Sequence, residues 1–400
     1  MKRAILLILD GLGIGAMDDL IENERSQDKG ANTLNSILKN NPGLDLAHLA
    51  KLGLGTAADN ERLMTERPAA SYGQARLNYK GADTFMGHQE IMGSKVKPPK
   101  IIPFKNIYKK VKESLKKKGY QVKACHKPLP YLVVEESVVI ADNIEADYGQ
   151  IYNVTAALDE ISFSSTVKIA RVVREIAKVS RVIALGGPDI SPEQIRDNIV
   201  QVSKDIAGVK TTNLNIYGPQ YKVLHLGYGI DHKQQITSIM AKNGYDVRLI
   251  GKVQDVINCP QAKEMIPEVY TEEVLKKLVS KLKEVEQGLI AANVQELDLA
   301  GHEQKVKKQG EVLKIVDDYL PAIIENLQSE DILIITADHG NDARLDTTKH
   351  TRERTPILLY SPQANQVRYL GIRETLADIA ATIADYFAVD KPQSGQSFLK

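Results

Sequence analysis

Residues 332–342 read Ile-Leu-Ile-Ile-Thr-Ala-Asp-His-Gly-Asn-Asp. A short, unbroken apolar run such as Ile332–Thr336 reads as a strand buried on both faces, the habit of parallel sheets. Adjacent side chains of a regular strand point to opposite faces. Asp338 and His339 therefore converge on one point only if the chain turns, and Gly340-Asn341 supply the turn. A plain turn with a capping Asp is the alternative. Similar runs occur at Ala4–Leu9, Val247–Gly251, Gly288–Val294 and Ile357–Tyr360. Helical patterns lie at Thr271–Glu286, Glu311–Leu327 and Arg373–Phe387. Thr271 reads as the N-cap of the first, and Glu272 and Glu273 suit the positive end of its dipole. Strands alternating with helices predict an α/β fold, a mostly parallel central sheet flanked by helices.

The middle of the chain differs. It opens with the basic, Pro-flanked stretch Lys95–Lys118. Short strand-like pieces follow at Gln121–His126, Ser137–Ala141 and Arg181–Gly186, with a helix predicted at Thr166–Val179. This predicts a small α+β unit, residues 100–215, inserted into a discontinuous larger unit formed by 1–99 and 216–400. Lys109–Lys118 reads as the solvated face of a helix.

Composition narrows the partners. The chain has 400 residues, 52 Lys plus Arg against 51 Asp plus Glu, a net charge of +1, eight His and two Cys. That balance argues against a nucleic-acid coat or a polybasic membrane binder. Cys125 and Cys259 are too few for a disulfide scaffold or a cysteine-rich zinc module. The apolar run after Met1-Lys2-Arg3 spans six residues, short of the roughly 7–15 of a signal peptide. No run nears the ~18 apolar residues of a membrane span. A cytoplasmic protein with reduced thiols is the expectation.

Five clusters could carry chemistry. Asp10-Gly-Leu-Gly-Ile-Gly-Ala16 follows the first strand and formally fits the dinucleotide pattern G-x-G-x-x-A. That pattern also needs a second strand ending in an acid about 20 residues on, and Met17–Asn32 contains no apolar strand. Asp10 reads instead as a ligand at the strand's carboxyl end, with a structural turn as the bland alternative. Asp338-His339 is the second cluster. Asp298 and His302, four residues apart, form the third, and His350 in a polar loop the fourth. Asp83-Thr84, followed by Gly87-His88-Gln89-Glu90, is the fifth and sets a hydroxyl between acidic and imidazole groups. Singly, the third is a weak signal, the fourth reads as a surface His, and a surface turn explains the fifth equally well. The four acid or imidazole clusters fall near predicted strand ends, where open α/β sheets place their sites. Oxygen and nitrogen donors without thiolate suit zinc, manganese or iron. Three Asp and three His suffice for two ions, which together can clamp a phosphoryl group.

Read together, Asp10-Gly-Leu-Gly-Ile-Gly, Asp83-Thr84-x-x-Gly-His-x-Glu-Ile-Met-Gly93, Asp298-x-x-x-His302, Thr336-Ala-Asp-His-Gly-Asn-Asp342 and His350-Thr-Arg-Glu353 resemble the phosphopentomutases of the alkaline phosphatase superfamily. Arg373-Glu-Thr-Leu-Ala-Asp-Ile-Ala380 and Ser394-Gly-x-Ser-Phe398 resemble them too. The resemblance is collinear over about 1–99 and 216–400. It implies an alkaline-phosphatase-like core with residues 100–215 as a cap closing over the site. Thr84 matches the phosphorylated nucleophile. Asp10, Asp338 and His339 match the ligands of the ion beside that hydroxyl, and Asp298, His302 and His350 those of the other ion. The implied metal is manganese, with zinc as the alternative. The implied substrate is a small sugar phosphate of the ribose 1-phosphate/5-phosphate type, with a bisphosphorylated sugar as activator. Asp147 and Arg181 partly match ribose-phosphate contacts.

The chain also departs from the pattern. The family's Gly-Lys-Asp-Thr is Gly81-Ala82-Asp83-Thr84, its Gly-His-Trp-Glu is Gly87-His88-Gln89-Glu90, and the Asp before His350 is Lys349. The spacing before His302 is one residue short and is similar to that of cofactor-independent phosphoglycerate mutases. The Arg-x-x-x-Asn-Arg-His-Asp segment after the cap has no counterpart near Thr211–His232. These departures keep two alternatives in view, a two-metal phosphohydrolase or phosphodiesterase and a non-catalytic metal-binding relative.

Overall fold

The computed structural model describes residues 2–22, 25–144, 148–214, 216, 220–345 and 349–399. The chain forms two compact units, Met1–Val96 with Asp231–Lys400, and Lys97–Ile230.

The larger unit is built on β1 (Arg3–Leu9), β2 (Ser71–Ala75), β3 (Asp246–Ile250), β4 (Glu264–Ile266), β5 (Gly288–Val294), β6 (Ile332–Thr336), β7 (Thr355–Tyr360) and β8 (Tyr369–Arg373). Their order in the sheet is β4-β3-β5-β1-β6-β7-β2-β8. The pairs from β4 through β6 are parallel, β7 is antiparallel to both neighbours, and β8 is parallel to β2. The sheet is thus mostly parallel, as expected. Along β1, Ile5, Leu7 and Leu9 enter one apolar layer while Ala4, Leu6 and Ile8 enter the other. Helices Thr33–Asn40, Thr271–Glu284 and Val306–Glu325 supply the first layer. Helices Thr84–Ile91, Ile236–Lys242 and Ala377–Phe387 supply the second. Burial on both faces explains the unbroken aliphatic runs.

Local expectations shift at three helices. Tyr270, not Thr271, is the N-cap, and it makes no side-chain cap bond. The Thr271 N–H donates instead to Glu296 at 2.7 Å, so a tertiary carboxylate takes over the capping role. The helix expected from Glu311 starts at Val306. The last helix starts at Ala377 because Arg373 belongs to β8.

Lys97–Ile230 is an α+β unit. Its six-stranded sheet runs Lys222–Gly227, Arg181–Gly187, Ile151–Ala157, Val138–Asp142, Tyr131–Val134 and Val122–Cys125 in spatial order. Helices Tyr108–Lys117 and Phe163–Ile176 cover one face. The expected boundary at 215 falls at 230, because Lys222–Gly227 pairs antiparallel with Arg181–Gly187 and so belongs to the smaller sheet. Lys109, Lys110, Lys116, Lys117 and Lys118 are exposed while Val111 and Leu115 are buried, the solvated face expected of this run.

Arg3 and Asp331 lock the register of β1 against β6, the two strands that lead to Asp10 and Asp338. The Arg3 N–H donates to Asp331 Oδ1 and its Nε to Oδ2, both at 3.0 Å, and both side chains are buried. Arg3 Nη2 also donates to Asn326 O at 2.9 Å. Removing one partner of a buried pair strands the other charge, which costs about 3–5 kcal/mol. Asp331→Ala is expected to lose that much stability, read as a lower urea midpoint with an unchanged m-value.

Candidate metal centre

The clusters meet at one edge of the larger sheet. Asp10 leaves the end of β1. Asp298 and His302 lie on the helix Glu296–His302 just after β5. Asp338 and His339 follow β6, and His350 precedes the antiparallel β7, whose start lies at the same edge. Thr84 opens the helix Thr84–Ile91 after β2. Asp83 is its N-cap, accepting from the Met86 N–H at 2.9 Å, so the nucleophile candidate is fixed by a capped helix start.

Three groups of ligand atoms converge here. Asp298, His302 and His350 form one, Asp10, Asp298 and His339 another, and Asp10, His88 and Asp338 a third, each within 4.8 Å. The His302 and His350 Nε2 atoms are 2.9 Å apart, and each is 3.4 Å from an Asp298 oxygen. The His339 and His350 rings stack at 3.9 Å. His339 Nδ1 lies 3.0 Å from Gly340 O. That contact assigns the ring proton to Nδ1 and leaves the Nε2 lone pair facing Thr84 Oγ1 at 2.7 Å. Asn293 donates to Asp10 Oδ2 at 2.8 Å, Asn341 to Asp298 Oδ1 at 2.8 Å, and the Gly11 N–H to Asp338 Oδ1 at 3.2 Å.

Divalent cations fit this donor set. Asp10 Oδ1 is buried without a hydrogen-bond partner, and Asp338 Oδ2 meets only the imidazoles of His88 and His339, at 3.1 and 3.3 Å. Orphaned carboxylate oxygens of this kind are costly unless a cation satisfies them. All the donors are oxygen or nitrogen, a choice that suits hard or borderline ions.

The sequence reading missed Lys252. It lies two residues beyond β3, with Nζ 3.0 Å from Asp10, 3.4 Å from Asp298 and 3.2 Å from Thr84 Oγ1. A signal was available, since Lys252 is the first residue past the predicted strand Val247–Gly251 and so occupies a carboxyl-end position. His88, within the Asp83–Glu90 cluster, also reaches the centre. It is buried, with Nδ1 2.9 Å from Thr84 O and 3.1 Å from Asp338 Oδ2.

Electrostatics follow from burial. Burial, Asp338 and Asp298 together push Asp10 up to about 8. Burial also raises Asp338, but His339, His88 and Lys252 outweigh it and hold that carboxyl below its ordinary value. Asp298 is likewise held well down, burial being overcome by Lys252, His302 and His350. For Lys252, burial lowers the ammonium and the three carboxylates more than restore it. We take Lys252 as charged, since two carboxylates besides Asp10 face it. Asp10 is then the carboxylate short of positive charge, the deficit a divalent ion removes.

The glycine loop Gly11–Gly15 wraps a side chain of the protein itself. Glu353 accepts from the Gly15 N–H at 3.2 Å and the Thr33 N–H at 2.9 Å. It also accepts from the Thr33 and Thr351 hydroxyls at 2.7 and 2.6 Å. A Cβ at Gly13 or Gly340 would lie 2.2 or 2.3 Å from that carboxylate. Glu353 thus fills the place a phosphate takes at a glycine loop and helix N-terminus, which removes the dinucleotide alternative. Arg181 opens the strand Arg181–Gly187 in the smaller unit. Asp147 lies outside the described residues.

Residues 2–391 match the family model described as the metalloenzyme superfamily. Phosphopentomutase from Desulfitobacterium hafniense is 30% identical, over 100% of this chain and 99% of that protein. The chain belongs to the phosphopentomutase family of the metalloenzyme superfamily. Phosphopentomutase from Caldanaerobacter subterraneus subsp. tengcongensis is 29% identical over 100% of this chain and 98% of that protein. Among solved structures, phosphoglycerate mutase from Leishmania mexicana is similar at 13% identity and a TM-score of 0.46, over 99% of this chain and 97% of that chain. Family membership over the whole chain makes this protein an enzyme, an isomerase of the phosphomutase kind, and sets aside the non-catalytic alternative. No helix among the described residues is long and apolar enough to cross a membrane.

Proposed function

We propose that this phosphomutase moves a phosphoryl group within a ribose-type sugar phosphate, between the 1- and 5-positions, through a phosphothreonine at Thr84. The observation that carries the reading is the setting of Thr84 Oγ1. It lies 2.7 Å from the His339 imidazole, which also meets Asp10 and Asp338, and 3.2 Å from the Lys252 ammonium. The relatives named phosphopentomutase support the substrate class.

Asp298, His302 and His350 would hold one divalent ion and Asp10, Asp338 and His339 the other, manganese being our choice for both. Bound there, such ions lower the pKa of a hydroxyl and neutralise charge on a transferring phosphoryl group. The rest is positioning, as phosphoryl transfer requires. The phospho-Thr84 O–P bond breaks as an O–P bond to the free sugar hydroxyl forms, and the proton that hydroxyl loses is the one Thr84 Oγ gains. The bisphosphorylated sugar then returns its other phosphoryl group to Thr84. A bisphosphorylated sugar added from outside would prime the threonine and act as the activator.

Lys252 takes the place of the basic residue absent at Ala82. Its ammonium reaches Thr84 Oγ1 from another strand end and stabilises charge there. Removing one such fixed donor costs about 10²–10³-fold in kcat. Lys252→Gln is expected to lose about that much, measured as interconversion of ribose 1- and 5-phosphate at saturating manganese. The reading itself is tested by intact-mass analysis with and without bisphosphorylated sugar and manganese. One added phosphoryl group, mapped to Thr84, supports it. Inorganic phosphate release carrying oxygen from labelled water, with no isomer interconversion, would sink it in favour of a hydrolase.

A further inference from the structure

We infer that Arg352 is a positioning residue that sets where Thr84 stands in the centre, while touching no ligand of the ions. The inference rests on Thr84 being the phosphoryl acceptor.

The segment from Leu77 to Asp83 leads directly into the nucleophile's helix and belongs to no strand. Leu77 and Tyr79 are buried and Gly81–Asp83 partly so, and their carbonyls must find donors outside any strand ladder. One guanidinium satisfies three of them. Arg352 Nη2 donates to Leu77 O at 2.8 Å, and Nη1 donates to Tyr79 O at 2.7 Å and to Gly81 O at 2.6 Å. The remaining donors, Nε and Nη2, hold both oxygens of Asp19 at 2.8 and 2.6 Å. All five N–H groups of the guanidinium are thereby used, in a side chain 2% exposed.

The link continues to the centre through Tyr79. Its hydroxyl donates to Asp338 O at 3.1 Å and accepts from the Asp83 N–H at 3.3 Å. Arg352 itself stands two residues after His350, and its own N–H donates to the buried Asp28 at 2.8 Å. The segment that carries one ligand histidine into β7 therefore fixes, through a single fork, the loop that carries the nucleophile. Its neighbour Glu353 does the equivalent for the loops bearing Asp10 and Asp338, through Gly15 and the close approach to Gly13 and Gly340.

Lysine cannot replace this fork. An ammonium has three donors on one atom, without the planar spread that reaches three carbonyls and a carboxylate together. A displacement of about 1 Å at a reacting group costs about 10²-fold in rate. Arg352→Lys is expected to lower kcat about 100-fold, with KM changed less than about threefold. Its manganese affinity, read by titration with electron paramagnetic resonance, should stay within about threefold of wild type, because Arg352 contacts no ligand side chain. Hydrogen exchange should rise across 77–83 and stay unchanged at 338–342. Millimolar guanidinium should restore part of the kcat lost by Arg352→Ala. If that variant does not fold, Arg352→Lys and Asp19→Asn carry the test. Unchanged kcat and unchanged exchange in Arg352→Lys would overturn the inference. So would a parallel collapse of metal affinity and exchange protection throughout the larger unit, the signature of general structural loss. The exchange and metal readings do not depend on turnover. If wild-type Thr84 proves never to be phosphorylated, the functional reading fails, while loosening confined to 77–83 still supports the positional claim.

Discussion

Thr84→Ala is expected to abolish isomer interconversion, with kcat falling on the order of 10⁴-fold or more, because a covalent step has no substitute once its nucleophile is gone. Thr84 Oγ1 is the buried hydroxyl that both His339 Nε2 and Lys252 Nζ approach. The variant should still bind metal, since the carboxylate and imidazole donors of all three converging groups remain. It should gain no phosphoryl mass with bisphosphorylated sugar. Thr84→Ser keeps the hydroxyl and should keep measurable turnover. The helix start should survive either change, because the cap bond belongs to Asp83. Full activity in the alanine variant would refute the phosphothreonine route.

The second large effect is expected at Asp298. This carboxylate belongs to two of the three converging groups. It lies 3.4 Å from His302, His350 and Lys252 and accepts from Asn341. Asp298→Asn keeps the shape and removes the charge. Losing an outer-shell partner costs about 10–100-fold in metal affinity, so losing this carboxylate should cost more. Elemental analysis is expected to find two ions per chain in wild type and at most one in the variant, with activity lost and not restored by excess manganese. Two ions at wild-type affinity in Asp298→Asn would show that the carboxylate is not a ligand.

Much of the architecture was readable in the chain. Strands β1, β5 and β6 fall where their aliphatic runs predict because burial on both faces leaves few polar positions to confuse the pattern. The edge strands were not readable. β8, Tyr369–Arg373, and β4, Glu264–Ile266, carry exposed and charged residues, since an edge is half solvated. β2, Ser-Tyr-Gly-Gln-Ala, has no aliphatic run and pairs with β7 through a glycine that β8 overlies closely. The inserted unit ends later than its sequence suggested because Lys222–Gly227 gains its identity only from its antiparallel partner.

By itself the sequence determined which residue types stop the apolar runs, Asp10, the Asp298–His302 pair and Asp338-His339, and offered His350 and the Asp83-Thr84 hydroxyl as polar clusters nearby. Those are local facts, set by where an apolar run stops and which polar residue stops it. Only the tertiary structure decided what joins them. Lys252 reaches Thr84 across 168 positions of sequence, Glu353 fills the glycine loop a nucleotide would need, and Arg352 ties the loop before Thr84 to the segment that follows His350. The physical reason is common to all three. A buried charge must be met by groups from whichever elements pack around it, and sheet order, which brings those elements together, is not written in any one segment.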